Sequence, residues 1–231
     1  YFLFFIFYFL FFIFYFLFYI FKYKIYKINF IYKIYIMIST SYGCGYLDIK
    51  IGPMFSGKST TLLKETRLLD ELELEYIIIN HINDVRYGKN VVSTHNKEQK
   101  ECISLTNITD LLDDDNQYYK KYKEIRYIFI EEAQFFEDLK EFIIRAVDID
   151  KKIVYIYGLD GSSNRKMFNP IYEIIPLSNN IEKLNALCKK CKDGTPAIFT
   201  KRKIDKGGEI LVGTSDIYEA VCRKCYLEKT S

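Results

Sequence analysis

YLDIKIGPMFSGKSTT, residues 46–61, is the stretch on which the fold turns. Tyr46–Ile51 reads as a short strand. It runs into Gly52-Pro-Met-Phe-Ser-Gly57-Lys58-Ser59, the full G-x-x-x-x-G-K-[ST] pattern. The spacing has a physical reason. Gly52 and Gly57 let backbone amides turn inward around phosphate oxygens, Lys58 reaches the β- and γ-phosphates, and the Ser59 hydroxyl ligates Mg²⁺. Thr60–Glu75 then has a helical pattern with Leu62, Leu63, Leu68, Leu69 and Leu72 as its apolar face. The positive end of that helix meets the phosphate.

Working outward, Tyr76–Ile79, Tyr127–Ile130 and Ile153–Tyr157 are short β-branched or aromatic runs, the signature of buried parallel strands. A helix at about Glu137–Asp150 separates the last two. Alternating strands and helices predict an α/β fold, a P-loop NTPase-like parallel sheet flanked by helices. The strand Tyr127–Ile130 ends in Glu131-Glu132. A carboxylate there, beside a phosphate loop, binds Mg²⁺, commonly through water. Two adjacent carboxylates point to opposite sides if the strand continues, so each can hold a separate task.

Cys188-x-x-Cys191 and Cys222-x-x-Cys225 form two knuckles 30 residues apart. Four thiolates with no open position predict a structural Cys₄ zinc site rather than a catalytic one. Two disulfides or four free thiols are the alternatives, and a cytosolic nucleotide enzyme argues against disulfides. Cys44 and Cys102 read as isolated thiols. Between the knuckles, Gly207, Gly208 and Gly213 with Lys201, Arg202, Lys203 and Lys206 read as a hairpin and loop tied down at both ends. His81 and His95 read as hydrogen-bonded loop histidines, Asp113–Asp115 as an acidic surface loop, and Lys120–Lys123 as a solvated basic face.

Composition sets bounds. The chain has 231 residues, 33 Lys and Arg against 30 Asp and Glu, and six Cys. Disordered chains, disulfide-dense miniproteins and coiled coils are excluded. Residues 1–36 use only Phe, Tyr, Leu, Ile, Lys and Asn, and hold 20 of the 40 Phe and Tyr. Tyr1–Phe21 is apolar throughout and long enough to span a bilayer as a helix. All six residue types have codons made of A and T alone, and Met37 is the first methionine. The stretch therefore reads as translated AT-rich upstream sequence or an unstructured extension rather than a membrane anchor. Beyond residue 40 there are 29 basic and 30 acidic residues, which gives no basis for nucleic-acid binding. The expected organisation is a low-complexity stretch at 1–40, a phosphate-loop α/β domain at 41–180 and a zinc domain with a loop at 181–231.

Gly-Pro-Met-Phe-Ser-Gly-Lys-Ser-Thr (52–60), Glu-x-Gln-Phe-Phe (132–136), Leu-Asp-Gly (159–161), Arg-Lys-x-Phe (165–168) and the paired knuckles occur together in this order. So combined, they resemble the cytosolic (type II) thymidine kinases over about Asp48–Tyr226, with Asp84-Val-Arg86-Tyr87 and Thr94-His95 also similar. The resemblance implies ATP-dependent phosphorylation of thymidine in nucleotide salvage. ATP and Mg²⁺ would be held by Gly52, Met54, Phe55, Ser56, Gly57, Lys58, Ser59, Thr60, Asp84, Glu131 and Gln134. Glu132 would be the catalytic base, and Arg86 would lie near the transferring phosphate. Met54, Phe135, Leu159, Thr200, Leu211, Val212, Gly213 and Tyr218 would bind the nucleoside, several of them on a lasso loop. A cytoplasmic homotetramer inhibited by dTTP is also implied. Three departures stand out: Glu131 replaces the usual Asp, Ala133 a common Gly, and Ser163 an aromatic. A kinase of other base preference, or a non-catalytic ATP-binding zinc-ribbon protein, is the alternative.

Overall fold

The computed structural model describes residues 43–84, 90–93, 98–203 and 215–228. The expectations for residues 1–40, Arg86, Tyr87, Thr94, His95 and Leu211–Gly213 lie outside them. Residues 44–231 cluster as one compact unit. Along the chain come β1 (Tyr46–Gly52), α1 (Lys58–Glu71), β2 (Tyr76–His81), β3 (Val91–Ser93), β4 (Gln99–Glu101), β5 (Ile103–Leu105), α2 (Tyr119–Glu124), β6 (Tyr127–Ile130), α3 (Leu139–Ile143), β7 (Ile153–Leu159), α4 (Asn169–Ile174) and β8 (Asn180–Lys183). Then follow β9 (Ala186–Leu187), β10 (Pro196–Ala197), β11 (Phe199–Arg202), β12 (Tyr218–Val221) and α5 (Arg223–Leu227).

Six strands form one sheet in the order β5-β2-β6-β7-β1-β8, every pair parallel. The α/β expectation holds. Side chains alternate across it with period two. Leu47, Ile49, Ile51, Ile128, Ile130, Val154 and Ile156 join Phe136 and Phe142 in the main core, each contributing about 1.5–3 kcal/mol by burial. The opposite face carries Asp48 and Lys50 on β1, Phe129 on β6, and Tyr155 and Tyr157 on β7. The Phe129 and Tyr155 rings stack at 4.6 Å.

That second face is polar at its centre although Asp48 and Lys50 are only 3% and 2% exposed. Lys50 Nζ lies 2.8 Å from Asp48 Oδ2 and 3.2 Å from Glu65 Oε1 on α1. Asn180 Nδ2 donates to Asp48 Oδ1 at 3.0 Å, and the Tyr157 hydroxyl donates to Glu65. Burial opposes the Lys50 charge, but Glu65 and Asp48 outweigh it and hold the amine above its ordinary value. Burial pushes the Glu65 carboxyl up, against the pull of Lys50 and Tyr157. The network fastens α1 to the strand that feeds the phosphate loop.

Two helix expectations need correction. α1 ends at Glu71, not Glu75: Glu73 adopts φ 55°, which breaks the helix, and Leu72 is 51% exposed. Its buried face is Lys58, Leu62, Leu63, Thr66 and Leu69. The helix expected at 137–150 begins at Leu139 and changes to a wider π-type turn over Ile144–Ile149.

Candidate active site

Parallel pairing brings the functional segments to one edge. Gly52 lies in register with Leu159, and Ile130 with Ile156, so the phosphate loop, the Leu159 loop and Glu131 all leave the carboxyl end of the sheet. That edge is where ligands bind in open α/β sheets.

The loop is shaped by backbone. Gly57 has φ 84°, ψ 18°, the left-handed conformation that glycine takes without steric cost. A Cβ on Gly52 would meet the Leu184 carbonyl oxygen at 2.5 Å, so only glycine fits under the chain that crosses it. Phe55 also has positive φ, at 66°, and packs against the apolar cluster around the cysteines. Lys58 is buried, and its Nζ donates to the carbonyls of Gly52 and Pro53 at 3.2 and 3.0 Å. Ser56 Oγ is buried with no hydrogen-bond partner among the described residues, inside a loop built to surround an anion. Thr60 is exposed on the first turn of α1.

The Ser59 hydroxyl donates to Glu131 Oε1 at 2.5 Å. A hydroxyl and a carboxylate side by side are hard oxygen donors, a set that fits Mg²⁺. Glu131, longer by a methylene than the expected Asp, reaches Ser59 directly. Its backbone N–H still donates to Ile79 at 2.8 Å, so the sheet ladder fixes it.

Glu132 does not continue the strand. It has φ 49°, ψ 39° and is 7% exposed. The left-handed turn, not strand alternation, separates the two carboxylates. It costs a non-glycine residue about 1–2 kcal/mol, and Gln134 helps to hold it. Gln134 Nε2 donates to Glu132 Oε2 at 2.5 Å, while its Oε1 accepts the Leu159 N–H at 3.0 Å. Ala133 is fully buried and is not among the positive-φ residues. The glycine-like conformation lies one position earlier, so alanine is tolerated.

His81 closes β2 rather than sitting in a loop, and is 4% exposed. Its Nδ1 accepts the Asn83 N–H at 3.1 Å. Its ring lies 4.9 Å from Phe136 and 5.7 Å from Phe135, so it backs the predicted base-pocket residue Phe135. Burial lowers its pKa against the opposing Thr106 backbone contact. Asp84 Oδ2 accepts from Asn80 Nδ2 at 3.0 Å. Burial raises the Cys102 thiol to about 11, with Asp84 and Glu131 adding to the shift.

The four knuckle cysteines converge, their Sγ atoms all within 4.8 Å of one another. None is in a disulfide. Cys191 Sγ lies 3.5 Å from Cys225 Sγ and 3.8 Å from Cys222 Sγ. Metal–sulfur bonds of about 2.3 Å in a tetrahedron place sulfurs ~3.8 Å apart, so the cage fits zinc. Burial opposes ionisation of Cys188, but the backbone N–H groups of Cys191, Cys222 and Lys190 outweigh it and bring the thiol down to about 6. β11 and β12 form the arms of the hairpin expected between the knuckles. Thr200 on β11 accepts the Met54 N–H through Oγ1 at 2.9 Å, tying the phosphate loop to this unit. Tyr218 is buried on β12, opposite Arg202.

A family model described as thymidine kinase matches residues 45–226. The chain belongs to the thymidine kinase family. The family includes the thymidine kinase of Vaccinia virus (strain Tian Tan), 38% identical over 80% of this chain and 98% of that one. The thymidine kinase of Sheeppox virus (strain KS-1) is 40% identical over 79% and 97%. That of Oryza sativa subsp. japonica is 37% identical over 80% and 67%. Membership covers both the phosphate-loop sheet and the cysteine cage. Within this thymidine kinase family chain, two contacts had no sequence signal: the Leu184 carbonyl over Gly52, and the Tyr226 hydroxyl on the Ser163 carbonyl. Among the described residues, no helix is long and apolar enough to cross a membrane.

Proposed function

We propose that the chain transfers the γ-phosphoryl group of ATP to the 5′-hydroxyl of thymidine, giving dTMP for nucleotide salvage in the cytoplasm. The observation that carries this reading is the Ser59–Glu131 pair at 2.5 Å beside a turn that holds Glu132 in a left-handed conformation. Family membership supports the substrate.

In this mechanism the loop amides from Phe55 to Thr60 hold the triphosphate, and the Lys58 amine moves from the Gly52 and Pro53 carbonyls to the phosphate oxygens. Ser59 and Glu131 hold Mg²⁺, which when bound neutralises charge on the transferring group. Glu132 accepts the hydroxyl proton, and Gln134 keeps its carboxylate aimed. Such transfer depends on positioning more than on covalent chemistry. Arg86 and Asp84 stand near the transferring phosphate. Met54, Phe135, Leu159, Thr200, Tyr218 and the Leu211–Gly213 segment contact the nucleoside. The cysteine cage holds one structural zinc. A homotetramer inhibited by dTTP completes the proposal, on the strength of the family resemblance.

The test is transfer from ATP with Mg²⁺ to thymidine, deoxyuridine, deoxycytidine and deoxyadenosine side by side. Selective transfer to thymidine is the expected result. Transfer to none of them, by folded zinc-loaded protein, overturns the assignment.

A further inference from the structure

Ser163 lies in the loop Leu159–Phe168, where the resemblance leads to an aromatic ring. The loop is supported from behind instead. The Tyr226 hydroxyl donates to the Ser163 carbonyl at 2.7 Å. The Arg165 guanidinium sits 4.9 Å from the Tyr226 ring centroid and 5.8 Å from that of Phe199. Those two rings are 4.9 Å apart, and Arg223 lies 5.1 Å from Phe199. Arg165 has φ 61°, and the turn around it closes through Ser162 N–H to Lys166 O and Arg165 N–H to Ser162 O, both 2.9 Å. The loop is thus a tight turn fixed to the cysteine unit by one hydroxyl and one cation–aromatic stack.

The support is itself anchored. Tyr226 follows Cys225, and Lys201 Nζ donates to the carbonyls of Cys225, Tyr226 and Glu228 at 3.0, 3.2 and 3.0 Å. Phe199 precedes Thr200, whose hydroxyl takes the Met54 N–H. At its other end the loop starts at Leu159, whose N–H is held by Gln134, the partner of Glu132. The loop is therefore held at its start, through Gln134, to the carboxylate proposed as base, and at its middle to the residues beside the cysteine cage.

We propose that Tyr226 is a positioning residue for the nucleoside: its hydroxyl and ring hold the Leu159–Phe168 loop in its binding conformation, in place of an aromatic within the loop. This rests on the thymidine kinase reading above.

The test uses the full chain. Tyr226→Phe removes the hydroxyl and keeps the stacked ring. Loss of a hydrogen bond of this kind raises the thymidine KM roughly three- to tenfold, with the ATP KM and bound zinc unchanged and faster amide exchange over residues 162–166. Arg165→Asn keeps a residue that tolerates positive φ but removes the cation, and raises the thymidine KM about threefold. A wild-type thymidine KM in Tyr226→Phe overturns the proposal. So does an equal rise of both KM values with loss of zinc, which makes Tyr226 a scaffold residue only. If the wild-type chain phosphorylates no nucleoside, the activity reading fails; unchanged exchange at 162–166 in Tyr226→Phe still refutes the positioning role, and accelerated exchange there supports it.

Discussion

Lys50→Met should destabilise the protein in a pH-dependent way. Methionine matches the length of the lysine stem but removes the cation that sits 2.8 Å from Asp48 and 3.2 Å from Glu65. Asp48 keeps Asn180 as a donor and Glu65 keeps Tyr157, so each carboxylate retains one hydrogen bond but no counter-charge. Breaking a buried pair from one side costs about 3–5 kcal/mol. For a body of this size, at roughly 2–4 °C per kcal/mol, Tm falls by about 10 °C. The sign with pH follows from linkage. Lys50, raised in the folded state, contributes stability that is present below its unfolded pKa and lost as pH rises through its folded value. Glu65, also raised, costs stability as pH rises through its folded value, and without Lys50 that cost grows. The difference between variant and wild type should therefore be smaller at pH 5 than at pH 8. Adding Glu65→Gln to Lys50→Met should recover part of the loss at pH 8. Thermal and urea unfolding followed by circular dichroism at both pH values measure this. Equal Tm for variant and wild type, or a larger gap at pH 5, refutes the reasoning.

Glu132→Gln should lower kcat by about 10²–10⁴ while ATP binding by calorimetry stays near wild type, because the amide cannot take the hydroxyl proton. Cys225→Ser should release zinc on dialysis and lower Tm, since the remaining three thiols no longer close the cage; metal content and melting report both. Gly57→Ala should cost about 1–2 kcal/mol in urea unfolding from left-handed strain alone, because nothing lies within 4 Å of the added Cβ.

The phosphate loop and the cysteine cage were legible because each is a short pattern of chemically demanding residues at fixed spacing. The central strands β2, β6 and β7 were legible because apolar runs of that kind have to be buried, and β1 because it leads straight into the phosphate loop. β8 was not. Asn180–Lys183 is polar and mostly exposed, and it is a strand only through its backbone pairing with β1 and the side chains of Asn179 and Asn180. The charged positions of β1 were equally opaque, for Asp48 and Lys50 reveal their burial only when Glu65 and Asn180 are brought beside them. Glu132 looked like one half of an acidic pair. Its left-handed turn is held by Gln134, which joins Glu132 to the Leu159 N–H at the end of β7, and no local propensity encodes it.

The crossing of Gly52 by Leu184 bears on the order of events during synthesis. Leu184 N–H bonds the Ile51 carbonyl at 2.8 Å, and β8 covers the flank of β1. The phosphate loop is made early, but the segment that completes its wall follows about 130 residues later, on the order of 10 s at ordinary elongation rates. A nascent chain therefore carries β1 with both edges bare until β7 emerges and with its β8 edge bare for longer, and the wall of the nucleotide site closes only after Leu184 has left the ribosome.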